Sequence, residues 1–256
     1  MRELCCCLPV LVLLWSGLAL ADAALDYRDR SGGADSPSRN FQLLIGPKAA
    51  RMNSAEGWML FDAETRHLFI VKDAERSFTE IDPEKLEAMS KGIGALSEQA
   101  RAMLDMLPPD QRAQAEKYLT PKKTEPVRYR EFGGKRSIAG YSCRSGEILQ
   151  GKRKLAELCV ADAGEIGLSQ QDRKVLDALY AVLTKLQSTA SQYAATPMPN
   201  LAEIDGVPVE AVDLRHGRMQ QLAKVSTKEL APELFVIPGG YSRKPLTLPP
   251  AAADGN

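Results

Sequence analysis

An α+β chain built around an antiparallel sheet is predicted by three observations. Short runs of aromatic and branched residues, separated by turn signals, fill residues 41 to 81. Two long stretches repeat apolar residues at spacings of three and four, which marks amphipathic helices. A second series of strand-like runs begins near Glu125, and a last series follows the second helix.

The chain opens with Arg2 and an apolar run that contains Cys5, Cys6 and Cys7 and ends in Ala19-Leu20-Ala21. This pattern predicts a signal peptide over residues 1–21, cleaved before Asp22. Pro9, Ser16 and Gly17 interrupt the run, which is at the short limit for a membrane span, so cleavage is expected rather than anchoring. No cysteine follows the small-residue end, and lipid attachment is therefore not expected. A soluble periplasmic protein follows, with one domain over residues 22–243 and no integral membrane span.

Thirty-three basic residues balance thirty-three acidic ones. That balance argues against nucleic acid as a partner, because phosphate backbones demand a net basic surface. The basic clusters at Lys122, Lys123, Arg128 and Arg130 and at Lys152, Arg153 and Lys154 are interleaved with Glu125, Glu131 and Glu157, as on a solvated edge or turn.

Leu25 to Asp29 reads as a short strand, and the following "RSGGADSPSR" as a loop. The runs "FQLLIG", "GWMLFD", "RHLFIVKD" and "RSFTEID" read as a meander. Trp58 and Leu60 alternate with Met59 and Phe61, and Leu68 and Ile70 with Phe69 and Val71, so these strands are apolar on both faces. Both faces must be covered, one by helix and the other by a second sheet, a partner subunit or a ligand.

Asp82-Pro83 is an N-cap followed by a proline at the first helical position. Leu86, Met89, Ile93, Leu96, Ala100, Met103 and Leu107 then form one stripe, which Pro108-Pro109 ends. "DQRAQAEKYL" suggests a short helix. Ser169-x-x-Asp172 is a capping box for a second long helix, with a stripe of Val175, Leu176, Leu179, Val182, Leu183 and Leu186. "AATPMPN" breaks it. The end of the chain, residues 244–256, has proline and alanine without apolar period and is expected to be disordered.

Cys143 and Cys159 lie at equal distances on either side of Gly151. If the flanking runs are hairpin arms turning there, the two cysteines are directly opposed, with α-carbons about 4.5–5.5 Å apart, within reach of a disulfide. Closing such a loop is worth about 3 kcal/mol in the chain-entropy model. A redox pair would be expected as Cys-x-x-Cys at a helix start instead.

Nothing in the chain carries catalytic chemistry. His67 and His216 have no neighbour at metal-ligand spacing, Gly-x-Ser-x-Gly is absent, and "FGGKRS" lacks the spacing of a phosphate loop. A non-enzymatic protein without cofactor or metal is expected.

The pieces "IAGYSC", "AELCVA" and "LFVIPGGY" resemble an uncharacterised family of exported bacterial proteins with a domain of unknown function, itself similar to the LolA/LolB-like superfamily of periplasmic lipoprotein carriers. The resemblance spans roughly residues 40 to 243. It implies a strongly curved antiparallel sheet, an incomplete barrel, with long helices packed across its concave side and an apolar cavity between them. Candidate lining residues for ligand or core are Trp58, Leu60, Leu68, Ile70, Met89, Ile93, Leu96, Met103, Leu179 and Leu183. Met89, Met103 and Met106 would suit an adaptable wall. The expected function is binding or carrying a hydrophobic ligand, a lipid or an acylated protein. The alternative is a cell-envelope interaction module without a cavity, for which a homodimer is one arrangement.

Overall fold

The structure is a computed structural model and describes residues 22–31, 40–55, 57–104, 106–108, 111–112, 125, 127–191 and 203–246. The expected signal peptide, most of the short helix at 110–119 and the last ten residues lie outside the described residues.

Twelve strands among the described residues form one sheet: β1 (Ala23–Asp29), β2 (Phe41–Ile45), β3 (Ala49–Ser54), β4 (Gly57–Asp62), β5 (Leu68–Lys72), β6 (Ser77–Ile81), β7 (Val127–Ile138), β8 (Tyr141–Gln150), β9 (Arg153–Ala161), β10 (Val207–Asp213), β11 (Arg218–Ser226) and β12 (Ser242–Lys244). Their order across the sheet is β12-β6-β5-β4-β3-β2-β1-β11-β10-β9-β8-β7. All neighbours are antiparallel except β12, which lies parallel to β6. β1 is the seam: it pairs with β2 on one side and with β11 on the other, joining the two series of strands.

The α+β expectation, with long helices across a concave sheet, is overturned. The molecule is mostly β, its sheet is open rather than closed, and only 22% is helical. The physical reason is that β1 bridges both strand series into one sheet. The helices cover part of it, the second of them at β2 and β3, instead of forming a layer across it.

Helix α1 (Pro83–Leu104) starts as its sequence dictates, with the Asp82 carboxylate accepting from the amides of Glu84 at 2.8 Å and Lys85 at 3.4 Å. Helix α2 (Gln170–Ser191) starts on a reciprocal box, in which the Asp172 amide donates to Ser169 Oγ and the Ser169 amide donates to Asp172 Oδ2. α2 approaches the sheet at β2 and β3. There Val175, Leu176, Leu179 and Val182 enter the main core with Leu25, Ile45, Phe61, Leu68 and Leu222. α1 lies beside α2 and is bonded to it through Glu87, which accepts from Lys185 at 2.9 Å. Lys185 and Lys91 hold the Glu87 carboxyl down at about 2.

Cys143 and Cys159 are bonded in this core, with α-carbons 5.4 Å apart. Their pairing differs from direct opposition. The hairpin closes with Gln150 opposite Arg153, and Gly151 supplies the left-handed turn residue at φ 58°. The turn takes in both Gly151 and Lys152, which moves the register by one residue, and a bulge between Ile148 and Leu149 moves it by one more, so Ser145 faces Cys159 and the bond runs diagonally.

Candidate functional site

Sheet pairing sorts the meander into two faces. Met59 sits opposite Ile70 and Phe61 opposite Leu68, while Trp58 sits opposite Val71 and Leu60 opposite Phe69. Phe61 and Leu68 join the main core on the inner face. Trp58, Leu60 and Val71 form a separate cluster on the outer face with Ala49, Phe69 and Phe78. It is covered by the chain's own C-terminal strap, residues 230–244, through Phe235, Ile237 and Tyr241.

The strap is attached at a few points. The Leu230 amide donates to the carboxylate of Asp22 at 2.7 Å, which fixes its start to the residue before the seam strand. The Phe235 ring lies on Gly46, where an added Cβ would come within 3.1 Å of it. Arg51 stacks over the Trp58 ring at 3.8 Å and donates from Nη1 to the Leu234 carbonyl at 3.0 Å. Asp73 Oδ1 accepts from both Trp58 Nε1 and the Tyr241 hydroxyl, each at 2.9 Å. The Ser242 amide donates to the Arg76 carbonyl at 2.9 Å, and Arg243 pairs with Glu80, which also meets His67 Nδ1 at 2.7 Å.

These bonds have electrostatic signatures. The Trp58 and Tyr241 donors hold the Asp73 carboxyl below the usual carboxylate range. The bond to Asp73 raises the Tyr241 phenol, because losing its proton would lose the bond. Burial lowers Arg51, against the pull of Asp73.

Beside the strap lies a cleft of about 400 Å³ between Gly46, Ala49, Leu230, Pro232 and Phe235, with the Asp22 carboxylate at its margin. Among the described residues no group of three or more histidine, cysteine or acidic side chains could hold a metal. No described helix is long and apolar enough to cross a membrane.

The described residues among those expected to line a ligand site or the core fall in separate places. Trp58 and Leu60 are buried under the strap, whereas Leu68, Leu179 and Leu183 belong to the inner core. Ile70 is 36% exposed and Met103 65% exposed, and Met106 is exposed as well. Met103 and Met106 are thus neither cavity wall nor core filling. The side chains of Met89, Ile93 and Leu96 lie outside the described residues. Arg51, Asp73, Phe235 and Tyr241 were not foreseen as one site. The signal for it was in "LFVIPGGY", where apolar residues recur at Phe235, Ile237 and Tyr241 although Pro238 and Gly239-Gly240 forbid a long ladder; the segment forms no strand there, and Phe235 ends a 3-10 turn over Pro232–Phe235.

No curated protein matches the chain. Among solved structures, an uncharacterized conserved protein from Thermus thermophilus is similar at 7% identity and TM-score 0.44, over 89% of this chain and 92% of that one. The structure of PNGF-II in the C2 space group is similar at 8% identity and TM-score 0.41, over 88% of this chain but 31% of that one. A family model matches residues 106–241, which take in β7 to β11, α2 and the anchoring part of the strap, and the chain belongs to that family, described as a domain of unknown function (DUF4412).

Proposed function

We propose that this is an exported, non-enzymatic protein of the cell envelope that works by recognition at its outer sheet face. One observation carries the reading: the cluster of Trp58, Leu60 and Val71 is a second apolar cluster, apart from the main core, and a segment made of a 3-10 turn at Pro232–Phe235, a loop and the short strand β12 covers it. An apolar sheet face rimmed by polar fixtures is the form interaction surfaces take. The signal-like residues 1–21, with the two later cysteines bonded, support export into an oxidising compartment.

A second reading, binding of a lipid or acylated protein as in the lipoprotein carriers, is favoured by the 400 Å³ cleft beside Phe235. That volume suits a single small apolar group better than a set of acyl chains.

The test has two parts. N-terminal sequencing of the periplasmic protein is expected to start at Asp22; a chain still carrying Cys5 to Cys7 overturns the export reading. A photo-cross-linker at the exposed Val236 is then expected to capture a discrete protein partner. A stoichiometric lipid in an organic extract of detergent-free protein, with no cross-linked partner, would transfer the conclusion to the carrier reading.

A further inference from the structure

We infer that the strap is a built-in occupant of a groove on the outer sheet face, and that in trans this groove takes a polypeptide segment with the strap's own anchor pattern. The pattern is an aromatic residue, an aliphatic one two positions on, a tyrosine four further, and a cation two beyond that, as in Phe235, Ile237, Tyr241 and Arg243. The inference rests on the recognition reading and specifies its partner.

The groove's fixtures all belong to the sheet and its turns, not to the strap. Trp58 Nε1 already holds Asp73 Oδ1 where a phenol meets it. Glu80 is held by His67 where a cation meets it. Arg51 donates to a backbone carbonyl and so reads main chain, not side-chain identity. Gly46 leaves a flat seat for an aromatic ring. Strand addition, in which backbone bonds supply affinity and pockets supply specificity, is confined to the end of the strap, where β12 pairs with β6; the 3-10 turn at Pro232–Phe235 is held by the side-chain fixtures instead.

The strap fills this groove incompletely. β12 pairs with Ser77, Phe78 and Thr79, while β6 continues to Ile81, so a longer strand would find more of the edge to pair with. Between its anchors the strap is exposed at Val236, Pro238, Gly239 and Gly240, as a bound peptide would be. Tethering gives it an effective concentration in the millimolar range, so a partner must outcompete it or arrive when it is loosened.

Competition gives the inference a test that a purely structural strap would fail. A labelled peptide with the sequence of residues 230–246 is added to the full-length protein and followed by fluorescence anisotropy. Ile237→Ser and, separately, Arg243→Glu weaken the strap in cis while leaving the groove intact. Each is expected to bind the peptide at least tenfold more tightly than the parent, and combining either with Asp73→Asn or Arg51→Ala is expected to cancel the gain. If strap-weakened variants that keep the parent's circular dichroism bind the peptide no better than the parent, the inference falls. It falls equally if a fluorescent fatty-acid probe gains affinity and the peptide does not. Arg243→Glu, at an exposed position, keeps the test usable if Ile237→Ser fails to fold. A discrete cross-link at Val236 with no peptide gain would sink this inference and leave the recognition reading standing.

Discussion

The two faces of the β3–β5 meander are covered by different means. Inside, α2 and strands from across the sheet share one contiguous core, in which Phe61, Leu68, Val175 and Leu176 are each at most 2% exposed. Outside, three strap side chains and a handful of hydrogen bonds cover Trp58, Leu60 and Val71. A cover spread over many interlocked side chains is lost only with the fold, whereas a cover fixed at separate points can open by itself. The difference places global stability on one face and local opening on the other.

Breaking the inner cover has the largest expected effect. Leu176→Ala removes a buried side chain from the main core and is expected to cost about 2–5 kcal/mol, seen as a lower midpoint in thermal unfolding by every probe at once. A midpoint unchanged from the parent would mean that α2 is not part of the cooperative unit. Next comes the disulfide. Cys143→Ser with Cys159→Ser opens a short loop and is expected to cost about 3 kcal/mol, again globally, because both residues sit in the inner core. Intact protein should also lose two mass units relative to its reduced form.

Most of the inner face was legible in the sequence, and most of the outer site was not. Asp82-Pro83 and Ser169-x-x-Asp172 announce their helices because a cap is local chemistry, written within a few residues. The cysteine pair announces a staple for the same reason, although the two-residue turn and the bulge at Ile148 and Leu149, which no residue type marks, together turned it diagonal. The double apolar alternation at Trp58 to Phe61 correctly demanded two covers. What it could not supply was the identity of the second, because Asp73 and Tyr241 meet across 168 positions of sequence. The helical stripes also misled: a stripe shows that a helix has an apolar face, not that the face spans a sheet, and Met103 on that stripe is exposed.

Two smaller predictions sharpen the contrast. Tyr241→Phe keeps the ring and deletes its exposed bond to Asp73, at a small expected cost. That cost should appear as faster hydrogen exchange confined to residues 232–244, with the thermal midpoint nearly unmoved; a global shift would make the strap part of the core. The smallest effect is that of pH. Because Asp73 titrates below its ordinary range when folded, its contribution is present above the unfolded carboxylate value and fades as pH falls through the depressed one. Strap protection is therefore expected to hold from neutrality to about pH 4 and to drop below it, whereas Asp73→Asn should show less of this pH dependence. An identical acid profile in the two proteins would remove Asp73 as the latch.

The placement of β1 bears on how such a chain comes to be folded at all. Ala24 lies opposite Leu44 on one side and Ser226 on the other. The first of these partners is made almost at once during synthesis, and the second only after nearly the whole chain has emerged. The meander can thus assemble early with one flank of its founding strand unsatisfied, while the half of the sheet beyond it waits for β11. Loop closure over such a separation is slow, and the open flank of β1 is meanwhile a bare strand edge of the kind that aggregates. Assembly of this molecule therefore has a vulnerable interval, and its length is set by the time the last strands take to reach the first.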